Sequence, residues 1–308
     1  MKKILLAVCI LAITMNGYGQ FFDKNTGKNV MKVIESPVIV HNTQSKAFNE
    51  RMKTAFTDYW KVSPFQLLEG SGAAPVVQGS TYAAFMPAIV GLSVRGHETS
   101  MNNPFFIYGE ASASGNINGE GIIGVFPVNG FHYEFDPKAT NYYDRAMLRI
   151  PYIVYNLNDM LQYLKDKGKD NGFDDYIKSK NTRLAKKTLI IPSDLVTEWD
   201  VNPATTALMK GRIEAGQKDM KEIKAAVLDE GDITWGGKFK VMSNEEIMKL
   251  ETGADADKYA LFLPAIDNHK YLMAFDLKTK ELLYFEKVTM GMRIKSKDFD
   301  KMNKAAGF

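Results

Sequence analysis

Tyr82-Ala83-Ala84-Phe85-Met86-Pro87-Ala88-Ile89 is followed 177 residues later by Tyr259-Ala260-Leu261-Phe262-Leu263-Pro264-Ala265-Ile266, with six of eight positions identical and the other two apolar in both. At roughly 6% identity per position, such a match arises by accident in a chain this long about one time in twenty, so the flanks must support it. Upstream, Lys53-Thr54-Ala55 and Trp60 followed by Phe65-Gln66-Leu67-Leu68 have counterparts in Lys224-Ala225-Ala226 and Trp235 followed by Phe239-Lys240-Val241-Met242. The expectation is one fold used twice. Pro87 and Pro264 fall at equivalent places inside the two strand patterns. A proline cannot donate to a sheet ladder, so each should mark an edge or a bulge.

Working outward, the first 19 residues have a charged start (Lys2, Lys3), an apolar run from Ile4 to Thr14 and a small-x-small end at Gly17-Tyr18-Gly19. This is the pattern of a secretory signal peptide. Cys9 does not read as a lipid anchor, because Val8 precedes it where a small residue is needed. Cys9 is the single cysteine, so cleavage after Gly19 would leave a mature chain without disulfide, thiolate ligand or cysteine nucleophile. The longest later apolar stretch, Tyr82 to Val94, is short of the ~20 residues a spanning helix needs. Loss of Lys2 and Lys3 would take the formal charge from +3 to +1. No basic stripe argues for nucleic acid or a membrane surface. The expected location is outside the inner membrane, in the periplasm, at the outer membrane or beyond the cell.

About 290 mature residues exceed one typical core and divide naturally into two domains. The expected units are residues 20–165 and 188–308, joined by a polar connection at 166–187. Unit one should hold a strand at Ser36 to His41 and a helix burying Phe48, Met52, Ala55, Phe56, Tyr59 and Trp60, with Asn42 or Thr43 as its N-cap. Strands at Phe65 to Leu68, Thr81 to Val94, Phe105 to Tyr108 and Gly121 to Phe126 follow, with a hairpin turn at Asn129-Gly130. The unit closes with a helical stripe from Met147 to Leu164, started or kinked at Pro151. Unit two should repeat the order: strand Thr188 to Ile191, helix Pro203 to Val227, and strand Phe239 to Met242. A helix capped by the Ser243/Glu246 box comes next, then strands Tyr259 to Ile266, Tyr271 to Phe275 and Leu282 to Val288, and a last helix around Phe299 and Met302. The fold class expected is α/β (α+β): two tandem, pseudo-repeated sandwiches with mixed, largely antiparallel sheets.

Residues 188–305 resemble the small α/β domain at the amino terminus of TolB and in CsgG-like and LpoB-like envelope lipoproteins. The resemblance rests on the strand Thr188-Leu189-Ile190-Ile191-Pro192, the acidic capping pair after Phe239 to Met242, the Asp-rich approach Asp255-Ala256-Asp257-Lys258-Tyr259, and the turn Asp276-Leu277-Lys278-Thr279-Lys280. In that turn lysine stands where the family usually has glycine. The resemblance implies a non-catalytic envelope module that binds another protein.

The search for chemistry assigns no catalytic, metal or cofactor residue. His41, His97, His132 and His269 never meet at metal-ligand spacing and read as turn and strand-end residues. Ser112 and Ser114 lack the nucleophile-elbow spacing. Gly70 to Pro75 has no following lysine and is no phosphate loop. Asp166 to Asp175 departs from the EF-hand pattern at Gly168. Glu245, Glu246, Asp170, Asp174 and Asp175 read as exposed charge. Phe105, Phe106, Tyr108, Phe126, Phe131, Tyr133, Phe135, Tyr142 and Tyr143 alternate along strands, so either some face outward as a binding patch or all fill the core. The functional expectation is an exported, non-catalytic binding or scaffold protein of the cell envelope, partnered by another envelope protein and using no cofactor. The alternative is a hydrolase with its site at the cleft between the units.

Overall fold

The computed structural model describes residues 31, 33–43, 45–68, 82–94, 97–111, 117–127, 142–167, 173–180, 184, 187–197, 227–266, 269–289 and 293–308. They build two mixed sheets with helices. The first sheet contains β1 (Val38–Val40), β2 (Phe65–Leu67), β3 (Tyr82–Val94), β4 (His97–Ala111) and β5 (Ile117–Pro127), in the order β2-β1-β3-β4-β5. The second contains β6 (Thr188–Pro192), β7 (Phe239–Met242), β8 (Tyr259–Phe262), β10 (His269–Asp276) and β11 (Leu282–Thr289), in the order β11-β10-β8-β6-β7. A short β9 (Ala265–Ile266) also pairs with β10.

Both sheets have, one place in from an edge, a strand parallel to its two neighbours, followed by two antiparallel pairings. Val38 stands beside Phe65 and Ala83, and Leu189 stands beside Phe239 and Ala260. These are the residues that the repeated octapeptide and its flank would superpose. One irregularity corresponds as well. Tyr108 faces Gly124 and Gly109 faces Ile122, so Ile123 is extra; Ala274 faces Tyr284 and Phe275 faces Leu282, so Leu283 is extra. Pro87 and Pro264 both lie past the end of the parallel partner strand, whose last registers are Phe85 and Leu261. There the missing N–H costs no ladder bond on that side.

Helix α1 (Lys46–Tyr59) buries Phe48, Met52, Ala55 and Phe56. Its N-cap is Ser45, whose hydroxyl accepts from the Phe48 N–H at 3.3 Å, and not Asn42 or Thr43. Thr43 instead accepts from the Ser45 N–H and bonds Asn49, steadying the approach to the cap. Helix α2 (Tyr142–Lys167) runs through Pro151 and begins nine residues ahead of it, so the proline does not start the helix. It is apolar on more than one side because it packs on more than one side. Asn158 on one side accepts the N–H groups of Lys61 and Val62 just beyond α1, and Tyr152 on another meets Phe275 of the second sheet at 5.3 Å between ring centroids.

A single apolar cluster therefore joins Val38, Val40 and Phe85 of the first sheet, α1 and α2, and Ile190, Leu261, Met273 and Phe275 of the second sheet. A second cluster covers the opposite face of the second sheet, where Leu189, Ile191, Phe262 and Leu272 meet Phe299 and Met302 of α5 (Ser296–Ala306). The layers run sheet, helices, sheet, helix.

The segment 166–187, expected as a solvated connection, carries helix α3 (Phe173–Lys180) with Tyr176 and Ile177 buried. The remaining short helix, α4 (Asn244–Leu250), starts with the expected box: Ser243 N–H donates to Glu246 Oε2 at 2.8 Å and Glu246 N–H to Ser243 Oγ at 3.2 Å. The expected Asn129-Gly130 hairpin and most of the expected helix from Pro203 lie outside the described residues. Among the described residues no helix is long and apolar enough to cross a membrane.

Candidate functional site

Among the described residues, the largest concentration of charged and polar groups buried in apolar surroundings lies between α2 and the second sheet. At its centre is Glu251, the residue that ends α4, with its side chain 3% exposed. Its carboxylate takes Arg51 Nη2 of α1 at 2.5 Å, the Tyr152 hydroxyl of α2 at 2.8 Å and Lys280 Nζ at 3.2 Å. Lys280 belongs to the tight turn between β10 and β11 and also donates to the Leu277 carbonyl. Its ammonium lies 5.0 Å from the centre of the Tyr152 ring, an additional cation–π contact. Asn156, one turn further along α2, donates to the Lys280 carbonyl at 2.8 Å and accepts from the Leu282 N–H at 2.9 Å. Arg149 reaches the Pro264 carbonyl at 3.1 Å.

Burial and the Glu251 carboxylate beside it hold the Tyr152 hydroxyl well above the ordinary phenol range. Burial brings the Lys280 ammonium below its ordinary value, against the opposing pull of Glu251. Lys280 has φ +69°, the left-handed region that favours glycine. A lysine there carries a backbone cost of order 1 kcal/mol. The same residue joins Arg51 in supplying a cation to Glu251, a contact that offsets this backbone cost.

Two further clusters extend this seam. Asp159 of α2 accepts from the Tyr176 hydroxyl at 2.9 Å and pairs with Lys180 at 2.8 Å, and Lys180 also pairs with Glu281 at 3.1 Å. Burial and Asp159 together hold the Tyr176 hydroxyl well above its ordinary value. Burial pushes the Lys180 ammonium down, but its bonds to Asp159 and Glu281 win and raise it. Asp276 pairs with Lys187 at 2.8 Å and accepts the N–H groups of Lys278 and Thr279, each at 2.9 Å. Burial raises the Asp276 carboxyl, yet these three donors outweigh it and hold the carboxyl below the usual range.

The sign for stability follows. A carboxyl depressed in the folded state contributes above its unfolded pKa, near 3.9, and loses that contribution as pH falls through the lower folded value. Asp276→Asn is expected to lower stability at neutral pH and flatten its decline in the acid limb, measured as urea midpoints between about pH 7 and pH 2.5. An unchanged acid limb would show that Asp276 is not a stabilising titrating group.

The residues considered from sequence are not gathered here. His41 follows β1, while His97 and His269 open β4 and β10. His132, Ser112, Ser114, Asp170 and the Gly70 to Pro75 stretch lie outside the described residues. Glu245 pairs with Lys249 on the exposed side of α4, Glu246 is used in the cap, and Asp175 pairs with Lys178. Among the described residues no group of three His, Cys, Asp or Glu side chains is placed to hold a metal ion. Of the aromatic residues noted in unit one, Tyr108 is fully buried against Trp60; the others fall outside the described side chains. Sequence reasoning missed Arg51, Tyr152 and Glu251, and its one signal for the seam was lysine at position 280.

One outer surface contrasts with this closed interior. Strand β7 ends the second sheet, and among the described residues no strand lies on its other side. Phe239 and Val241 are 38% and 37% exposed, two of the four large exposed apolar residues described. Phe308, 56% exposed, stacks edge-on against Trp235 at 5.1 Å beside the start of this strand. A Cβ at Gly236 or Gly237 would sit 2.8 or 2.9 Å from Phe308, so a side chain at either position would push the ring from this place. Asn303 of α5 ties down the same corner, accepting the Gly236 N–H at 2.8 Å and donating to the Thr234 carbonyl at 2.7 Å. Compared with models of known protein families, with curated proteins and with solved structures, the chain matches none.

Proposed function

We propose that this chain is an exported, non-catalytic binding or scaffold protein of the bacterial cell envelope, made of two copies of one α/β unit stacked so that the helices of the first cover the sheet of the second. The repeated octapeptide, the matching strand registers and the matching extra residues Ile123 and Leu283 support the duplication. The leader-like first 19 residues and the resemblance to TolB-type envelope domains support the location and the role. The observation that carries the binding reading is the apolar edge strand β7, with Phe239 and Val241 open to solvent. Edge strands are ordinarily blunted or covered, and an apolar one left at the surface is a seat for another chain.

The seam between the sheets is a less suitable working surface. Its charged groups are engaged with one another beside the shared apolar cluster, which favours a structural role for them over a hydrolytic one.

The test is capture from the native envelope with the mature, tagged chain after mild crosslinking. The expected result is a reproducible envelope protein that is lost when Phe239 and Val241 are both changed to Asp, while circular dichroism and thermal midpoint stay near wild type. Failure to capture any reproducible partner with the wild-type chain would overturn the binding reading.

A further inference from the structure

Building on the binding role of β7, we infer that the edge receives an extended partner segment in which apolar residues alternate with acidic ones. The backbone supplies the first half of the argument. Lys238 accepts the Leu189 N–H through its carbonyl at 2.9 Å, so the backbone groups of Lys238 and Lys240 point inward to β6. Alternate residues of a strand point to opposite edges, so the N–H and C=O of Phe239 and Val241 point away from β6, where an added strand would pair with them.

The side chains supply the second half. Phe239 and Val241 pair with Leu189 and Ile191, which belong to the apolar cluster of the α5 side. Apolar residues of an added strand in register with them would extend that face and cover the two exposed side chains. Lys240 pairs with Ile190 and turns to the opposite face, its ammonium 5.4 Å from the Tyr259 ring centre. Lys238 and Lys240 are exposed, and among the described residues neither has a carboxylate partner. Acidic residues at the interleaved positions of the added strand would meet these two cations. The same lysines disfavour a second copy of this chain, because two β7 edges brought together would set like charges side by side in the pairing region.

The experiment uses synthetic eight-residue peptides of three kinds: apolar and acidic residues in alternation, the same composition scrambled, and alternation with lysine for acid. Binding to the mature chain is measured by fluorescence anisotropy and by protection of the Phe239 and Val241 amides from exchange. The acidic alternating peptide is expected to bind at least about tenfold tighter than either control. Lys238→Glu with Lys240→Glu should reverse the preference between the acidic and basic peptides. N-methylation of the peptide residues that pair with Phe239 and Val241 should abolish binding.

Equal binding of all three peptides, or none, would overturn the inference. If the Phe239 and Val241 variant still loses its envelope partner in that case, the binding reading stands without it. If no partner is captured either, both fall. Amides of Phe239 and Val241 already protected in the free chain would show the edge occupied by this protein's own residues and would also overturn it. So would crosslinking of two copies through Val241→Cys, a clean probe because the only native cysteine is Cys9.

Discussion

Glu251→Ala is expected to cost about 3–5 kcal/mol of folding stability, the range for breaking a buried ion pair from one side. The carboxylate is 3% exposed, and its loss strands Lys280 at 4% exposure, frees Arg51 from its partner and leaves the Tyr152 hydroxyl without its acceptor. Uncompensated charge in an apolar setting explains the size, more than the Coulomb energy of the pairs themselves. Glu251→Gln should cost less, because the amide oxygen can still accept from Tyr152. Lys280→Gly should cost less again: it loses the ammonium but relieves the left-handed backbone, worth about 1 kcal/mol.

Equilibrium urea unfolding of the three variants supplies the order, and the Glu251→Gln, Lys280→Gly double variant supplies the coupling. The network also joins α1 and α2, on the side of the first sheet, to α4 and the β10–β11 turn of the second. Glu251→Ala is therefore expected to separate unfolding into two transitions. A cost below about 1 kcal/mol would show that the seam is held by apolar contact alone.

Asp298→Ala should be comparably damaging on the opposite face of the second sheet, at about 3–5 kcal/mol. Lys270 and Asp298 pair with side-chain exposures of 2% and 1%. Lys270 also donates to the Arg293 carbonyl at 3.1 Å, and Asp298 accepts the Lys295 N–H at 2.9 Å where α5 begins. The variant removes a helix cap and leaves an ammonium inside the cluster formed by Phe262, Phe299 and Met302. Lys270→Met is expected to be milder, because Asp298 keeps the hydrogen bond from the Lys295 N–H that the alanine variant loses. The double variant Lys270→Met, Asp298→Leu should recover most of the loss, since well-packed apolar replacements of buried pairs are often neutral or better. Thermal and urea midpoints of the four proteins decide the matter. A double variant no more stable than Asp298→Ala would mean that the pair holds α5 by geometry that apolar packing cannot replace.

Features that depend on a few neighbouring residues were legible from sequence. The α1 stripe, the Ser243/Glu246 cap, the strands at Phe65 and Phe239 and the hairpin through Thr279 rest on short-range periodicity, capping and turn chemistry. The α1 N-cap was misplaced because Asn42, Thr43 and Ser45 can all cap; the choice of Ser45 rests on a hydroxyl position that composition does not show. The helix at Phe173–Lys180 was missed because its two buried side chains, Tyr176 and Ile177, sit in a run of lysines and aspartates. Its apolar face is narrow and becomes visible only against α2 and β11.

Sequence alone determined the α/β class, the strands and helices that local patterns mark, and the internal match at Tyr82 and Tyr259, because local propensity and self-similarity are written in contiguous residues. Only the tertiary structure decided that Glu251 meets Arg51 across 200 positions of chain, that α2 serves both sheets, and that Phe239 stays exposed on a strand with no outer neighbour among the described residues. Each depends on which distant surface arrives to exclude water, and an isolated Arg, Glu or Phe in a sequence carries no mark of what will cover it.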